Sequence, residues 1–344
     1  MKRYLPFLFA VLMVACVAPE NRDRVANRTA TTPVAFEATL SASDALFELV
    51  ADTAFRFKNL QVFPIVAEAN YIAQFDPVSN YLNLKEALKK QAIHIHEVGA
   101  STNRDPLTSI DMQRDEAEVN RLVARNRSGD TIFVMAGEVI QGGKQDRVVS
   151  EDFVLLPGQQ EDIGVFCVEQ NRWVSQNGSF SFTGHYGLAA NSLRKTMVTS
   201  NDQREVWAQV DEVTSKNRAL SETKTYTNLG NSRMFLKKSS DYYRHFNQKL
   251  TNIPNMVGLI AVSGDQVLGC DIFHHPELMQ KQLPMLLQSY VTDAVTNRTP
   301  VDISAETVAT YFDTQLERLR SEQAAGLDWQ KLEQDNFVLH FAAF

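Results

Sequence analysis

The chain has 344 residues, with 34 Lys and Arg against 41 Asp and Glu, and a formal net charge of −7 at pH 7. This acidic balance argues against a nucleic-acid binder, because phosphate backbones attract basic surfaces and the sequence contains no basic run. Hydrophobic residues make up 44% of the chain and aromatic residues 9%, which excludes a disordered chain and predicts one compact body of one or two lobes.

The first residues of the chain have the pattern of a secretory signal. Lys2 and Arg3 precede an apolar run over residues 4–15, and this run is far shorter than the roughly 20 apolar residues needed to span a bilayer. Ala15 stands directly before Cys16, which resembles a bacterial lipoprotein cleavage box. Cleavage there would leave Cys16 as the first mature residue, carrying acyl chains that hold the protein on a membrane.

We therefore predict a signal peptide over residues 1–15, lipidation of Cys16 and a lipidated flexible tether over residues 16–44. Met13 stands where leucine is usual, and the alternative is a coincidental cysteine in an ordinary signal peptide. Val17 follows the cysteine, so the acidic retention residue of inner-membrane lipoproteins is absent. This favours an exported outer-membrane lipoprotein that faces the periplasm, with the membrane as a partner through the lipid anchor.

Folded structure is predicted to begin near residue 45. Residues 55–63 alternate apolar and polar side chains, as in a half-buried strand. Asn83 and Glu86 have the spacing of a capping box, which predicts the start of a short helix. A further strand is predicted over residues 92–98.

Antiparallel strands are predicted to dominate residues 55–187. Segments rich in Val, Ile and Phe are separated by turn signals, which fall at residues 127–130, 141–144 and 156–158. This spacing favours a meander or a sandwich. Residues 176–187 are rich in Gly and Ser and predict a flexible loop, which would allow His185 to cover a cleft.

Residues 188–298 are predicted to be mainly helical, with one β-hairpin at residues 257–273. Asn201 is predicted to cap one of these helices, and a later helix begins at Ser304. Residues 299–344 are predicted to form this C-terminal helix and a tail. The whole chain is therefore predicted to have an α+β fold, with a β-rich part before a helical part.

Charged residues concentrate in two short stretches, residues 136–147 and 167–173. Glu138 follows a predicted strand, so its carboxylate could project into a cleft and act as a general acid or base. The alternative is that Glu138 pairs with Lys144 or Arg147 across a turn and holds a hairpin.

Gly142 and Gly143 permit a positive φ or a close approach of the backbone, and Lys144 beside exposed amides would hold an anionic ligand. The stretch is not a Walker phosphate loop. That motif requires glycine and Ser or Thr at the positions where Glu138 and Gln145 stand.

Cys167 and Glu169 lie two residues apart, hence on one strand face. A neighbouring carboxylate disfavours the thiolate, which argues against a nucleophilic cysteine. Glu169 and Arg172 would instead clamp a polar ligand, with Trp173 as a stacking wall. The alternative is a salt bridge that spans a turn over a core tryptophan.

The remaining cysteines and the histidines carry weaker signals. Cys167 and Cys270 lie in apolar runs, which favours two buried free thiols over a disulfide. His94 and His96 alternate on one strand face, but two ligands without a third do not predict a metal site, and a solvated face is the better interpretation.

Gln203 and Trp207 are one helical turn apart and would either back the proposed cleft or belong to the core. The candidate ligand-binding or catalytic residues are therefore Glu138, Lys144, Arg147, Glu169 and Arg172. The candidate supporting residues are Gly142, Gly143, Gln145, Cys167, Trp173, Gln203 and Trp207. No metal ligand is predicted, and the sequence identifies no cofactor.

Several of these residues also carry a family resemblance. The set comprises residues 59–64, 81–88, 125–127, 137–138, 143–147, 167–169, 172–173, 205–207 and 258–260, with Gln203, Gly269, Asp271 and Phe273. It resembles the ARG and Rhodanese-Phosphatase-superfamily-associated protein domain, an uncharacterised bacterial family, in a lipoprotein version. The resemblance predicts a family domain over residues 45–298. Its name implies genomic association with ADP-ribosylglycohydrolase and rhodanese or phosphatase proteins, which points to nucleotide or ADP-ribose metabolism.

The sequence thus predicts an envelope lipoprotein with a polar ligand-binding or accessory role. Its partner would be a small anionic ligand or an envelope protein. One alternative is a hydrolase that uses Glu138 or Glu169 as general base on a phosphorylated or ribosylated compound. Another is a structural or assembly protein in which these residues only fix the strands.

Overall fold

The computed structural model describes residues 39–40, 46–75, 81–98, 119–175, 178–334 and 336–344. All of them lie in the unit of chain formed by residues 36–344. The predicted signal peptide and Cys16 lie outside the described residues. Within the described ranges, no helix is both long and apolar enough to cross a bilayer.

A central antiparallel sheet is built from both halves of the chain. Its first strands are β1 (Thr39–Leu40), β2 (Phe47–Val50), β3 (Arg56–Phe57) and β4 (Leu60–Ala67). It continues through β14 (Met256–Ser263), β15 (Gln266–Phe273), β17 (Phe337–Ala343) and β16 (Trp329–Gln334). Every residue of β14 is buried, because helices cover both faces of the sheet.

The barrel is the second large β element. Its strands are β6 (Ile93–Glu97), β7 (Arg121–Asn126), β9 (Glu138–Gly142), β10 (Arg147–Val149), β12 (Gln160–Cys167) and β13 (Ser181–Leu188). They pair antiparallel in the closed order β10-β12-β7-β6-β13-β9. The predicted antiparallel strands are confirmed, but they close into a barrel and form neither a meander nor a sandwich. The segment predicted as a loop around His185 is strand β13, where that histidine pairs with Ile140.

A small third sheet adjoins these elements. It contains β5 (Tyr81–Asn83), β8 (Thr131–Val134) and β11 (Phe153–Leu155). The pairing of β5 with β8 is parallel, whereas β11 pairs antiparallel with β8.

The α-helices of the described residues are α1 (Ala69–Ile72), α2 (Leu84–Lys89), α3 (Asn191–Ser200), α4 (Gln203–Lys216), α5 (Arg233–Leu250), α6 (Pro276–Asn297) and α7 (Ala305–Arg320). The capping box of Asn83 and Glu86 is confirmed at the start of α2. Asn201 does not cap a helix N-terminus as predicted. It ends α3 with φ +49°, and the side chain of Asp202 caps α4 instead, since a carboxylate is an equally good N-cap.

The C-terminal segment differs most from its prediction. Helix α7 is present, with Val308, Phe312 and Leu316 buried against the central sheet. The residues predicted as a tail form the hairpin β16–β17 instead, and β17 pairs with β15 from Cys270 opposite Ala343 to Phe273 opposite His340. Polar residues dominate β16, so its sequence lacks the apolar content that marks a buried strand.

The cysteine prediction is confirmed: Cys167 and Cys270 are buried free thiols. Burial raises the pKa of both thiols. His94 and His96 lie on the outer face of β6 with their ring centroids 5.0 Å apart. The described residues contain no group of three or more His, Cys, Asp or Glu side chains that could hold a metal ion.

Candidate functional site

One end of the barrel is lined by polar side chains that face its interior. The barrel core is formed by apolar residues that include Ile95, Leu122, Ile140, Val149, Val165 and Phe182. Because alternate residues of a strand point to the same face, Glu97, Arg147 and Cys167 also face inward. Each lies two residues away from a core residue of its own strand. Arg147 on β10 pairs directly with Cys167 on β12. We call this end of the barrel the mouth.

A pocket of about 180 Å³ lies at the mouth. It is lined by Glu97, Val98, Val119, Leu122, Lys144, Arg147 and Trp173. Trp173 is 54% exposed, so it belongs to the rim of the pocket and not to the core. Pockets for drug-sized ligands are typically about 300–1,000 Å³, and this one therefore fits only a small ion or a small molecule.

Arg147 is the unusual residue of this pocket. It is only 2% exposed, and its Nη1 donates to Oε1 of Gln145 at 3.2 Å. Its Nε has no hydrogen-bond partner, and among the described residues it forms no ion pair with a carboxylate. Buried arginines are almost always paired. Among the described residues, the direct partner of this buried positive charge is therefore a neutral amide.

The turn between β9 and β10 carries Lys144 past the mouth. The backbone N–H of Lys144 donates to Oε1 of Glu97 at 2.6 Å. Gly143 has φ +49°, and a Cβ at this position would lie 2.7 Å from that same carboxylate oxygen. Glycine is needed here because both the left-handed backbone and the close approach of Glu97 exclude a side chain.

A cluster of two acids and one arginine holds this turn from outside the barrel. Nη2 of Arg172 lies 2.6 Å from Glu169 and 3.1 Å from Asp146. Arg172 also donates to the carbonyl oxygens of Gly143 at 2.8 Å and Gly142 at 3.2 Å. The donors of its guanidinium are thus used in bonds within the protein, and these bonds hold the turn between β9 and β10 in place.

Asp146 extends the cluster to a second pocket of about 450 Å³. Its Oδ2 accepts hydrogen bonds from the hydroxyls of Thr225 and Thr227, each at 3.0 Å. Burial raises the pKa of Asp146, and the nearby charge of Glu169 raises that pKa further. This acid was not singled out from the sequence, because its hydroxyl partners lie about eighty residues away.

Glu138 lies at the other end of β9 from the mouth. It is fully buried, its Oε2 accepts from the backbone N–H of Met135 at 3.3 Å, and its Oε1 lies 3.3 Å from Nε2 of His185. It lines neither of the two pockets. The structure therefore brings Lys144, Arg147, Glu169 and Arg172 into one region and leaves Glu138 apart from them.

The candidate supporting residues mainly hold the backbone. The amide of Gln203 bonds to both the N–H and the carbonyl of Cys167, at 2.8 and 2.9 Å, and so ties α4 to the end of β12. Nε2 of Gln145 donates to the carbonyl of Glu169 at 2.6 Å. Trp207 is half-buried, and its Nε1 has no hydrogen-bond partner in the described ranges.

A second buried cluster of charged residues was not predicted from the sequence. Nη2 of Arg194 lies 2.8 Å from Oδ1 of Asp271, which also faces Nε2 of His340 at 3.2 Å. Tyr290 donates its hydroxyl to the same carboxylate. Nδ1 of His340 lies 2.6 Å from Asp152. Burial alone would lower the pKa of His340, but the two carboxylates outweigh it and raise that pKa to about 9. Each charge of this cluster has an opposite charge beside it.

The family resemblance is confirmed. The family model of the ARG and Rhodanese-Phosphatase-superfamily-associated Protein domain matches residues 48–338, and the chain belongs to this family. The match continues past residue 298, where the resemblance was expected to end, so it includes α7 and β16. No curated protein and no solved structure gives a significant match to the chain.

Proposed function

We propose that this family member is an envelope lipoprotein that binds a small anion at the mouth of its barrel. The observation that carries the proposal is the buried guanidinium of Arg147, which has no carboxylate partner among the described residues. Leaving a cation buried and unpaired costs several kcal/mol. An anion from solution would supply the missing charge, and the planar guanidinium matches the geometry of carboxylate and phosphate groups.

The surroundings of Arg147 narrow the class of ligand. A pocket of about 180 Å³ has room for a few water-sized groups, at about 30 Å³ each, and not for a nucleotide. The carboxylate of Glu97 lines the same pocket and opposes a second negative charge on the ligand. A small monoanion such as a short carboxylate therefore fits best, with any flat or apolar part against the exposed ring of Trp173.

A hydrolase is less well supported by the geometry. Oε2 of Glu169 accepts from Nε of Arg172 at 2.7 Å and from the N–H of Asp146 at 3.1 Å, which leaves it poorly placed to abstract a proton. Glu138 lines neither pocket. Binding without turnover is therefore the function that these side chains favour.

The binding proposal is tested by thermal unfolding with and without acetate, formate, sulfate and phosphate. At least one of these anions should raise the unfolding temperature of the wild-type protein, because a ligand that binds only the folded state stabilises it by mass action. Arg147→Met should abolish this response. The matched control is Arg125→Met, which removes an exposed arginine from the outer face of the same barrel. The absence of any response in the wild type, or an unchanged response in Arg147→Met, would contradict the proposal.

The envelope location rests on residues 1–15 and Cys16 and needs its own test. The wild-type protein should incorporate labelled palmitate and sediment with membranes, whereas Cys16→Ser should do neither. Cys270→Ser, which removes a buried thiol, is the control for loss of a cysteine. An unacylated wild-type protein in the soluble fraction would exclude the lipoprotein assignment and leave the binding proposal intact.

A further inference from the structure

A basic pocket of about 480 Å³ lies beside the central sheet, between β4 and helices α5 and α6. It is lined by Lys58, Asn59, Lys238, Tyr242, Val295, Arg298 and Pro300. It shares no lining residue with the pocket at the mouth of the barrel. Asn59 begins one of the segments that carry the family resemblance, and the anion site at the mouth gives it no role.

The floor of the basic pocket is fixed by buried hydrogen bonds. Nδ2 of Asn59 donates to the carbonyl of Ala294 at 2.8 Å and to the hydroxyl of Ser263 at 3.2 Å. The hydroxyl of Tyr242 donates to Oδ1 of the same asparagine. The ammonium of Lys58 lies 5.2 Å from the centroid of the Tyr242 ring. This asparagine thus ties β4, α5 and α6 together, and the pocket is preformed.

Three of the four cations around the pocket lack an acidic partner among the described residues, and Lys58 is the exception. Lys238, Arg298 and Arg218 form no ion pair within the part of the chain that the structure describes. Lys58 lies 3.4 Å from Asp241. Partial burial lowers the pKa of Lys238, and the charges of Arg298, Arg218 and Lys58 lower it further. Four positive charges therefore act on one another at this site, in a chain whose net charge is −7.

The side chain of Arg298 is held at the end of α6 by a hydrogen bond from its Nε. The residue ends α6 with φ +60°, a backbone conformation that is unfavourable for most residues other than glycine. Its Nε donates to the carbonyl of Val295 at 3.2 Å, and its terminal nitrogens have no hydrogen-bond partner in the described ranges. A guanidinium and an ammonium with unused donors form the usual recognition pair for phosphate.

We propose that this basic pocket binds a phosphate group with more than one negative charge, between Lys238 and Arg298. The apolar part of the ligand lies against Val295 and Pro300. The mouth of the barrel differs, because Glu97 there opposes a second negative charge. Soluble phosphorylated compounds and anionic phospholipid headgroups share this chemistry.

The first test is calorimetric titration of the full mature protein with inorganic pyrophosphate and with glycerol 3-phosphate at about 0.15 M salt, where the Debye length is about 8 Å. The variant Lys238→Met with Arg298→Gln should weaken binding at least about tenfold, because it removes two charge-assisted contacts. The control Arg233→Gln with Lys237→Met removes the same number of charges from exposed positions of α5 outside the pocket. It should change the affinity less than about threefold, as expected for exposed charges that do not line the pocket and are screened at this salt concentration.

The second test separates the two sources of phosphate. Sedimentation with phosphatidylglycerol-containing vesicles is compared with sedimentation with phosphatidylcholine vesicles for the wild type and both double variants. A lipid anchor contributes equally to all of them, so a preference for anionic vesicles that only the pocket variant loses assigns the phosphate to a lipid.

Pyrophosphate binding without such a preference assigns the phosphate to a soluble compound, and Arg147→Met should leave either result unchanged. The proposal is overturned if the wild type binds neither pyrophosphate nor anionic vesicles. It is also overturned if the pocket and control variants weaken binding equally, since the effect would then be general electrostatics.

Discussion

Two arginines are buried to almost the same extent in this protein, yet their surroundings are opposite. Arg194 is fully buried beside the carboxylate of Asp271, with Nη2 and Oδ1 2.8 Å apart. Arg147 is 2% exposed, and within the described part of the chain its one hydrogen-bond partner is the amide oxygen of Gln145. Removing the counterion of a paired buried charge destabilises the fold, whereas a buried charge without a counterion in the fold already lowers stability and creates affinity for an anion.

The largest expected effect comes from removing the counterion of Arg194. Asp271→Asn leaves the charges of Arg194 and His340 buried with one acid fewer, and we expect a loss of about 3–5 kcal/mol in the free energy of unfolding. Urea denaturation measures this loss. The control Asp162→Asn removes an exposed carboxylate and should cost less than about 1 kcal/mol. Equal losses in Asp271→Asn and Asp162→Asn would show that the counterion of the buried Arg194 contributes no more to stability than an exposed carboxylate.

A pH series gives the next largest effect. His340 has a folded pKa of about 9 against an ordinary value of 6.5. Its contribution to stability is therefore complete below pH 6.5 and is lost as the pH rises through about 9. The loss should be on the order of 3 kcal/mol, since one pKa unit corresponds to about 1.4 kcal/mol.

This pH dependence is measured by urea denaturation at about pH 6 and about pH 9.5, on either side of the transition. His340→Gln should flatten it. Asp293, whose pKa is raised by burial to about 6, is half ionised at the lower pH, and completing its ionisation adds only about 0.4 kcal/mol to the loss. A wild-type stability that stays constant across the interval would show that His340 is not charged in the fold.

Arg147→Met should act in the opposite direction. Without ligand, replacing an unpaired buried cation by an apolar side chain of similar length should raise the free energy of unfolding by about 1–2 kcal/mol, even though Gln145 loses a donor. Urea denaturation in an anion-free buffer measures the change. A loss of several kcal/mol instead would mean that Arg147 serves the fold, as Arg194 does.

The smallest change in the free energy of unfolding is expected for an exposed ion pair, and it serves as the reference for the three larger changes. Arg121 pairs with Asp162, but its side chain is 58% exposed. Arg121→Ala should therefore change the free energy of unfolding by less than about 1 kcal/mol, and added salt should reduce even this change. A larger effect would show that solvent exposure does not explain why Arg121 should matter less to stability than the buried Arg147 and Arg194.

Local patterns in the sequence predicted individual elements well. The capping box at Asn83, the hairpin near residues 257–273 and the helix after Ser304 all appear in the structure. Their signals are encoded within a few neighbouring residues. The closure of the barrel is not, because β13 must pair with both β6 and β9, and the alternation of apolar residues is the same in an open sheet.

The candidate site was predictable to a similar degree. The sequence placed Lys144, Arg147 and Trp173 together, and all three line the pocket at the mouth. It could not place Glu138, because strand β9 carries that residue to the far end of the barrel. The Asp271 and His340 pair was missed because its members are 69 positions apart and each alone resembles an ordinary polar residue in a strand.

Strand β17 has a consequence for the order of biosynthesis. It supplies His340 to the buried cluster and pairs along β15, and the ring of Phe344 lies 5.0 Å from the guanidinium of Arg194. A nascent chain emerges amino end first, so β15 presents an unpaired edge until these residues have been synthesised. Such an edge invites wrong pairing. A product terminated before residue 337 would therefore keep the edge of β15 unpaired. Proteases could recognise this exposed edge and degrade the truncated product.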